Sequence, residues 1–428
     1  MTVTDAPSGT TRLLAGFDRP DAATLAGHLD LFGPPPPSGY TAATLSTLLE
    51  QAGLTGRGGA GFPTGAKLAA LAGRRRPTVV VNAMEGEPAS HKDEVLATGV
   101  PHLVLDGAEL VARALRASAL RICVARDRPG SARAFEQAVA ERRAAGLLAV
   151  DDVEVCTPPA RYVAGEESAL VHWLDGGESL PTFRPTRPGT LRVAGRPTLV
   201  DNAETMATIG LIGRFGPDWF RAVGSPDAPG TRLVTVSGDV AAPGVFEVPG
   251  GLPLRSLLTN AGSAEDLAGV LLGGYGGSWL AGGNLDVALS PGALFAEGCT
   301  LGPGIVVALG RPGCGLAETA RIARWMAGES AGQCGPCAFG LPAVADDLET
   351  LAFGRSSARA ADRLWGRLAA VEGRGACRHP DGVVRLVRSA FAAFAADVDH
   401  HVRQGPCPAA RRDTVMALPQ HVDEGAWR

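Results

Sequence analysis

The chain has 428 residues and a formal net charge of −4, so it is long enough for two to four domains and lacks the basic excess that nucleic-acid binding requires. Aromatic residues make up only 5% of the sequence, and no apolar run is long enough to cross a bilayer. The first residues, MTVTDAPSGTTRLL, lack the organisation of a signal peptide, so we expect a cytoplasmic protein without direct membrane insertion, alone or held peripherally on a membrane complex by a partner.

The first half of the chain alternates helices with strands. A lead-in over 1–39 ends in a proline run, and an α/β domain is predicted over 40–225. This alternation is typical of a parallel sheet covered by helices. The periodicity predicts helices over 41–52, 67–72, 103–116, 132–145 and 211–223, and strands over 78–82, 120–125 and 150–156.

The second half of the chain has a different pattern of predicted secondary structure. Short strands around a single helix predict a small α+β module over 228–300. Helical periodicity then dominates, which predicts a helical bundle over 310–403, and the tail over 404–428 has no predicted structure. Within the module, strands are expected over 232–238, 244–248 and 270–272, and a helix over 254–262.

A glycine-rich run, GRGGAGFPTG, begins at Gly56 and satisfies the dinucleotide fingerprint G-x-G-x-x-G. A predicted helix, not a strand, precedes it, so an ordinary Rossmann interpretation fails. A glycine turn can still present backbone N–H groups to an anion, and Lys67, one of only two lysines with Lys92, would add an ammonium. The alternative is a plain turn between two helices.

Three further polar runs lie at the ends of predicted elements. Asn82, Glu85 and Glu87 follow the first strand, where open α/β sheets bind ligands, although a solvated acidic turn is the alternative. Gly165 and the paired acids after it open a helix, a position that the helix dipole alone explains. The run VDNAET, over 200–205, is typical of a helix cap.

These runs together resemble one family: the NADH-binding flavoprotein subunit of respiratory complex I and the diaphorase subunits of NAD-linked hydrogenases and formate dehydrogenases. The family's runs are GRGGAGFPTGxKW, NADEGEPGxxKDR, GAYICGEETAL and GRPTVxNNVETL. This chain has GRGGAGFPTGAKL, NAMEGEPASHKDE, RYVAGEESAL and GRPTLVDNAET in the same order. The resemblance implies a Rossmann-like FMN-binding layer, a β-grasp soluble-ligand-binding (SLBB) module and a C-terminal helical iron–sulfur bundle.

The resemblance also implies which residues hold the cofactors. FMN would lie in the glycine-rich loop with NADH stacked on its ring, and hydride would pass to the flavin without a side chain acting as general base. The residues implied for FMN are Gly56, Arg57, Gly58, Gly59, Lys67, Asn82, Glu85, Tyr162, Gly165, Glu166, Asp201, Asn202 and Thr205. The residues implied for NADH are Phe62, Glu87, Glu167 and Arg184.

Several positions depart from the family's pattern. Met84 replaces an acid, and Asp201 replaces the first of two asparagines, which exchanges an amide donor for an acceptor. Arg187 replaces an adenine-stacking phenylalanine, and a guanidinium there could stack on a ring or favour a phosphorylated ligand such as NADPH.

Eight cysteines are too few for a disulfide scaffold, but three of them are clustered. Cys334, Cys337 and Cys377 match a family pattern that holds a [4Fe–4S] cluster with four cysteines, and Ala331 stands at the first position. Either an incomplete cluster or a complete one with a substitute ligand would fit this pattern. Vestigial thiols and a zinc site remain alternatives. The substitute ligands considered are Cys314, His379, Cys407, water and an exogenous ligand.

The sequence therefore predicts an FMN-dependent NAD(P)H oxidoreductase subunit that passes electrons through a C-terminal iron–sulfur site to a partner. The expected partner is a thioredoxin-like [2Fe–2S] subunit or a ferredoxin. Two alternatives remain: a non-catalytic FMN-binding or assembly subunit, and a protein whose working part is the small-ligand-binding module.

Overall fold

The computed structural model describes residues 2–4, 11–182, 190–354, 358–419 and 427–428. Arg184 and Arg187 lie outside these ranges. A five-stranded sheet forms the core of the first part, in the order β4-β3-β2-β6-β5 with all neighbours parallel except β5 and β6. Its strands are β2 (Thr78–Ala83), β3 (Ala119–Val124), β4 (Val153–Cys156), β5 (Arg192–Val193) and β6 (Arg196–Asn202).

Helices cover both faces of this sheet. The helix α2 shows how local sequence fixes their ends: Thr41 and Thr44 form a capping box at its start, and Gly53 ends it in the left-handed conformation with φ 72°. The helices are α1 (Leu25–Phe32), α2 (Ala42–Ala52), α3 (Thr64–Ala69), α4 (Lys92–Gly99), α5 (Pro101–Leu115), α6 (Pro129–Ala144), α7 (Glu167–Leu174), α8 (Ala203–Phe215) and α9 (Pro217–Arg221), with a 3₁₀ turn at Tyr162–Gly165.

The helix expected over 211–223 is wrong in both bounds. The observed helix α8 starts directly after Asn202, whose side chain accepts a hydrogen bond from the N–H of Glu204 and so acts as its cap. It ends at Gly216, which has φ 87°, and Pro217 then starts the separate helix α9. The polar run VDNAET therefore marks the start of α8 better than the apolar periodicity does. A capping side chain accepts hydrogen bonds from the free N–H groups of the first turn, and the spacing of apolar residues carries no information on these groups.

The β-grasp module is a six-stranded sheet in the order β1-β10-β9-β13-β11-β12, with a separate two-stranded ribbon of β7 and β8. β13 lies parallel to β9 in the middle of the sheet, and a third apolar cluster fills the space beneath it. Its elements are β1 (Thr2–Thr4), β7 (Gly224–Ser225), β8 (Ala228–Pro229), β9 (Thr231–Gly238), β10 (Gly244–Pro249), α10 (Leu254–Asn260), β11 (Leu267–Leu272), β12 (Ser278–Ala281), α11 (Pro291–Ala296) and β13 (Ile305–Gly310).

The C-terminal region is helical, as expected, and a continuous apolar core joins its helices. The segment after α16, expected to be without structure, packs back on the bundle as far as residue 419 among the described residues. The elements are α12 (Gly315–Gly328), a π-helical turn at Pro336–Gly340, α13 (Leu341–Phe353), α14 (Ala358–Val371), α15 (His379–Ala393), α16 (Ala395–Gln404) and a 3₁₀ turn at Pro408–Arg411.

Within the described ranges, no single helix has the length and apolarity needed to cross a membrane. One pair, α4 with α5, passes that test by length and composition only, and its members are bent by 95°. Both helices contribute to the main apolar cluster of the α/β domain.

A close approach of α5 and α8 holds the main core together. A Cβ atom added to Gly107 would collide with the carbonyl oxygen of Met206, and one at Gly210 would lie 3.0 Å from the backbone nitrogen of Gly107. Glycine at these two positions therefore allows the backbones of α5 and α8 to lie this close. In a close-packed interior, a methyl group added at either position would push the backbone of the other helix away.

We predict that Gly107→Ala lowers the free energy of unfolding by about 3 kcal/mol, since α8 must shift to admit the methyl group. Chemical denaturation of the purified protein measures this loss. Gly130→Ala is the matched control, because a Cβ there meets nothing within 4 Å and α6 gains helix propensity. Equal stability of the two variants would contradict the packing argument.

Candidate functional site

The candidate site lies where the strand order of the first sheet reverses. The first strand of this sheet in the chain, β2, is central, with β3 and β4 on one side and β6 on the other. Open α/β sheets bind ligands outside the carboxyl ends of strands at such a point. Here β2 ends at Ala83 and β6 ends at Asn202, and the Asn202 side-chain amide donates to the Asn82 carbonyl across 3.2 Å.

The glycine-rich loop covers this crevice between α2 and α3. Its Arg57 backbone N–H donates to Thr205 Oγ1 at 2.9 Å, which fastens the loop to the first turn of α8. Gly58 packs against Asn202, since a Cβ added to Gly58 would lie 3.4 Å from the Asn202 Cβ, and Gly59 has φ 120°. The backbone amides of Gly58 and Gly59 have no acceptor among the described residues, so they are available to an anion.

Lys67 reaches the same edge of the sheet. Its Nζ donates to Glu167 Oε1 at 2.5 Å and to the Val200 carbonyl at 2.6 Å, and lies 3.4 Å from Asp201 Oδ1. Burial lowers the pKa of Lys67, but the carboxylates of Asp201 and Glu167 outweigh it, so the pKa is raised overall. Burial raises the pKa of Asp201 against the opposing charge of Lys67. The Asp201 Oδ2 atom is buried without a hydrogen-bond partner among the described residues.

Lys92, the second lysine, lies at the same crevice and was not assigned a role from the sequence. Its buried Nζ contacts Asp93 and Asn202 at 2.9 Å and Glu204 at 3.0 Å. Burial lowers the pKa of Lys92, and the neighbouring carboxylates raise it further than burial lowers it. The sequence indicated that this position is special, because 38 of the 40 basic residues are arginine and lysine occurs only at Lys67 and Lys92.

Two acidic residues that were expected to bind the cofactor, Glu85 and Glu166, cap the starts of helices. The Glu85 carboxylate accepts hydrogen bonds from the N–H groups of Asp93 and Glu94 at the start of α4, at 2.9 and 3.0 Å. The Glu166 carboxylate accepts from the N–H groups at the start of α7. Helix termini favour carboxylates in these positions, so both side chains have a structural role whatever else they contact.

Glu87 has a different environment. Its Oε2 accepts from the Tyr162 hydroxyl at 3.2 Å and from the Tyr275 N–H at 3.0 Å, while Oε1 is buried without a partner among the described residues. Burial raises the pKa of Glu87 to about 7, although these hydrogen bonds lower it in part. The carboxylate therefore exchanges a proton near neutral pH beside the crevice.

Tyr162 joins the crevice to the helical bundle. Its ring packs edge-on against Trp325, with centroids 5.6 Å apart, and lies 5.4 Å from the ring of His379. Its backbone N–H donates to Glu329 Oε2 at 3.0 Å, and Arg161 donates to the same carboxylate at 3.0 Å. Glu329 directly follows α12 and leads into the cysteine loop, so one residue links the two regions.

The three predicted cluster cysteines converge beyond this link. Cys334 lies after α12, Cys337 in the π-helical turn, and Cys377 just before α15. Burial and, to a smaller extent, the nearby sulfurs of Cys334 and Cys377 together raise the pKa of the Cys337 thiol to about 12, so the three thiols lie in one neighbourhood.

Comparison with known proteins identifies the family. Residues 49–211 match the Nuo51 FMN-binding domain, residues 233–269 the SLBB domain, and residues 317–401 the NADH-ubiquinone oxidoreductase-F iron–sulfur binding region. An NADH-quinone oxidoreductase subunit of Mycobacterium tuberculosis is 34% identical over 392 residues, which cover 86% of this chain and 87% of the relative. The chain belongs to this family of NADH-quinone oxidoreductase flavoproteins. It is a subunit of the NADH dehydrogenase and diaphorase type, and the resemblance found in its sequence is confirmed.

Relatives in hydrogenases extend the family. The NADP-reducing hydrogenase subunit HndC of Solidesulfovibrio fructosivorans is 28% identical over 383 residues, which cover 86% of this chain and 78% of the relative. A solved NAD⁺-reducing [NiFe]-hydrogenase in the H₂-reduced state matches with a TM-score of 0.82 and 29% identity, covering 94% of this chain and 68% of the hydrogenase chain. The predicted combination of α/β layer, β-grasp module and helical bundle is confirmed.

The crevice fits the FMN for which the matched domain is named. The glycine amides that have no acceptor among the described residues suit a phosphate, and the buried Asp201 Oδ2 and Glu87 Oε1 atoms, which have no donor there, suit polar groups of a ligand. Met84, the departure from the family's acid, is 1% exposed and belongs to an apolar cluster with Val80 and Leu170 beside the sheet. Phe62 is 41% exposed on the glycine loop, where an aromatic face is open to a ligand.

The cysteine site fits an iron–sulfur group held by three thiolates. Of the substitute ligands considered for Ala331, Cys314 and Cys407 contact each other and His401 instead, at the opposite end of α12. His379 lies two residues after Cys377, its Nε2 is 2.9 Å from the Met326 carbonyl, and its buried Nδ1 has no partner among the described residues. Of Cys314, Cys407 and His379, only His379 therefore has a ligand atom, Nδ1, that no other described group engages.

We predict that Glu87 makes stability depend on pH. The folded state binds the Glu87 proton more tightly than the unfolded chain between the ordinary pKa of 4.5 and the raised value of about 7. Its contribution to stability is therefore full below pH 4.5 and is lost as the pH rises through 7. Relative to Glu87→Gln, the wild-type free energy of unfolding should fall by about 1–3 kcal/mol across this range.

Denaturant titrations at a series of pH values measure this difference. Glu136→Gln is the control, because Glu136 is exposed on α6 and its replacement should leave the pH profile unchanged. Parallel profiles for the wild type and Glu87→Gln would show that the Glu87 carboxyl does not titrate as its burial requires.

Proposed function

We propose that this protein oxidises NADH at an FMN bound in the crevice and passes the electrons through the C-terminal cysteine site to a partner protein. The observation that carries the proposal is the direct link between the two sites: the Tyr162 turn lines the crevice, and its N–H and the Arg161 guanidinium both bind Glu329 at the edge of the cysteine loop. Electron transfer needs neighbouring redox groups at fixed separation, and this buried link provides a fixed separation.

The chain's own residues supply positioning and electrostatics. We assign the FMN phosphate to the glycine loop amides and Lys67, and the rest of the flavin pocket to the ends of β2 and β6 with the Tyr162 turn. Phe62, Glu87 and Glu167 would meet the nicotinamide nucleotide. When bound, FMN supplies the chemistry, accepting two electrons from NADH and releasing them singly. Glu87 would hold or release a proton beside this exchange, because its pKa is raised to about 7 by burial.

The cysteine site would hold the cluster through Cys334, Cys337 and Cys377. The partner we propose is a thioredoxin-like [2Fe–2S] subunit or a ferredoxin-type acceptor. The relatives in the comparison are named as subunits, which supports a partner of some kind. NADPH is a second candidate reductant beside NADH, since one relative is named as a subunit of an NADP-reducing hydrogenase.

A visible spectrum tests the oxidoreductase directly. We expect FMN-loaded protein to be yellow and to lose its flavin absorption within the mixing time of anaerobic NADH addition, because the nucleotide and the flavin share the crevice. Dithionite is the control, since it reduces a bound flavin without nucleotide binding.

Other outcomes favour the alternatives. Protein that dithionite bleaches, but that neither NADH nor NADPH bleaches, would be a non-catalytic FMN-binding or assembly subunit. Protein that stays colourless after FMN addition would shift the working part to the small-ligand-binding module.

The contacts of Lys67 predict opposite effects of two substitutions on FMN affinity. Lys67→Ala should weaken FMN binding about tenfold, because a charge-assisted contact to a phosphate is lost. Asp201→Asn should strengthen it several-fold, because a carboxylate 3.4 Å from Lys67 Nζ competes with the phosphate for that ammonium. Quenching of FMN fluorescence by the apoprotein measures both.

Arg74→Ala is the matched control for these titrations. It removes one positive charge from an exposed residue shortly after α3, outside the crevice, and should leave the dissociation constant unchanged. Wild-type FMN affinity in Lys67→Ala would defeat the phosphate assignment.

A further inference from the structure

Three metal-ligating side chains meet at the far end of the bundle, away from the family's cluster. The ligand atoms of Cys314, His401 and Cys407 all lie within 4.8 Å of one another, and Cys314 Sγ is 3.5 Å from His401 Nε2. Cys314 precedes α12, His401 lies in the last turn of α16, and Cys407 follows in the C-terminal segment. Three elements thus bring two sulfurs and one imidazole nitrogen to one point.

The surroundings of His401 fix which nitrogen faces the sulfurs. Nδ1 lies 3.1 Å from the Leu351 carbonyl oxygen, and a carbonyl can only accept, so Nδ1 carries the proton. The Nε2 lone pair is therefore directed toward Cys314 Sγ and the Cys407 N–H. Metal-binding histidines are held in this way, with the non-ligating N–H bound to a carbonyl or carboxylate. The side chain is fully buried, so its orientation is fixed by packing.

The spacing suits a single ion. Zinc–sulfur bonds of about 2.3 Å and zinc–nitrogen bonds of about 2.0 Å in a tetrahedron separate the two ligand atoms by about 3.5 Å. The observed Cys314–His401 distance is 3.5 Å. In an iron–sulfur cube each cysteine binds a different iron, which requires a wider spread of ligands than a single ion does.

This cluster is separate from the proposed iron–sulfur site. Cys314 and Ala331 flank the 14 residues of α12, whose length is about 20 Å at 1.5 Å per residue. Ligands at one end of this helix therefore cannot complete a cluster at the other.

We propose that Cys314, His401 and Cys407 bind one zinc ion. Two thiolates with one neutral imidazole form a donor set that zinc favours, and a fourth position is filled by water or by Asp397. Asp397 lies one helical turn before His401 on α16, and its charge reaches the Cys314 thiol.

The ion would fasten the C-terminal segment to the bundle. From Cys407 this segment continues to Thr414, whose hydroxyl donates to Glu318, and to the Ala417 carbonyl, which accepts from the Tyr275 hydroxyl at 2.6 Å. Tyr275 also donates its N–H to Glu87. The zinc site therefore stabilises the layer directly behind the crevice, at a distance from the reacting groups.

Metal analysis of the full chain tests the proposal. Wild-type protein, purified anaerobically and dialysed, should contain about one zinc per chain, and metal-free protein should take up one zinc ion in competition with a chromophoric chelator. Cys407→Ser and His401→Gln should each lower the zinc content at least about fivefold, since either removes one of three protein ligands. Cys299→Ser, which alters a buried thiol outside the set, should keep its zinc.

The double variant Cys334→Ser/Cys337→Ser separates this proposal from the proposed electron-transfer function. It should lose iron and keep zinc, whereas Cys407→Ser should lose zinc and keep iron. Hydrogen exchange adds a readout independent of metal content: removal of zinc should increase exchange over residues 405–419. Wild-type protein that neither contains nor takes up stoichiometric zinc, or Cys407→Ser protein that retains it, would overturn the proposal.

Discussion

The Glu329 carboxylate holds the two redox regions of this molecule together. It is buried at the end of α12 and accepts from both the Arg161 side chain and the Tyr162 backbone N–H. A buried ion pair of this kind is hard to break, because removing one partner leaves an uncompensated charge that destabilises the fold by about 3–5 kcal/mol. The Tyr162 turn and the cysteine loop are therefore fixed relative to each other, and Trp325 and Tyr275 fill the space behind them.

The crevice combines unusual electrostatics with this rigid frame. Two lysines face it, and each is already paired with carboxylates of this chain. Asp201 stands where the family has an amide, and its carboxylate lies 3.4 Å from Lys67 Nζ, so part of the charge of this lysine is balanced within the chain.

The fold and the glycine-rich loop were predictable from the sequence, because both depend on short-range patterns. Alternating apolar strands and helices predict the parallel sheet, and the glycine run marks the turn in which the amides of Gly58 and Gly59 have no acceptor within the described ranges. The cap run VDNAET marked the start of α8 where periodicity did not, whereas its end was not predicted, because Gly216 with φ 87° and the following Pro217 end the helix. The partners of Lys67 were also not predicted, since Glu167 lies 100 residues away in the chain.

The sequence by itself determined the family and the order of its modules, because each module is marked by motifs whose residues are close together in the chain. The family's spacing also marked Cys334, Cys337 and, 40 residues further on, Cys377. Only the tertiary structure decided which side chains remain available to a ligand. It engages the carboxylates of Glu85 and Glu166 in helix caps, leaves a carboxylate oxygen of Glu87 without a partner among the described residues, and brings Cys314 to His401 across 87 positions. The reason is physical: burial and hydrogen-bond satisfaction depend on which elements pack together, and local sequence does not encode that packing.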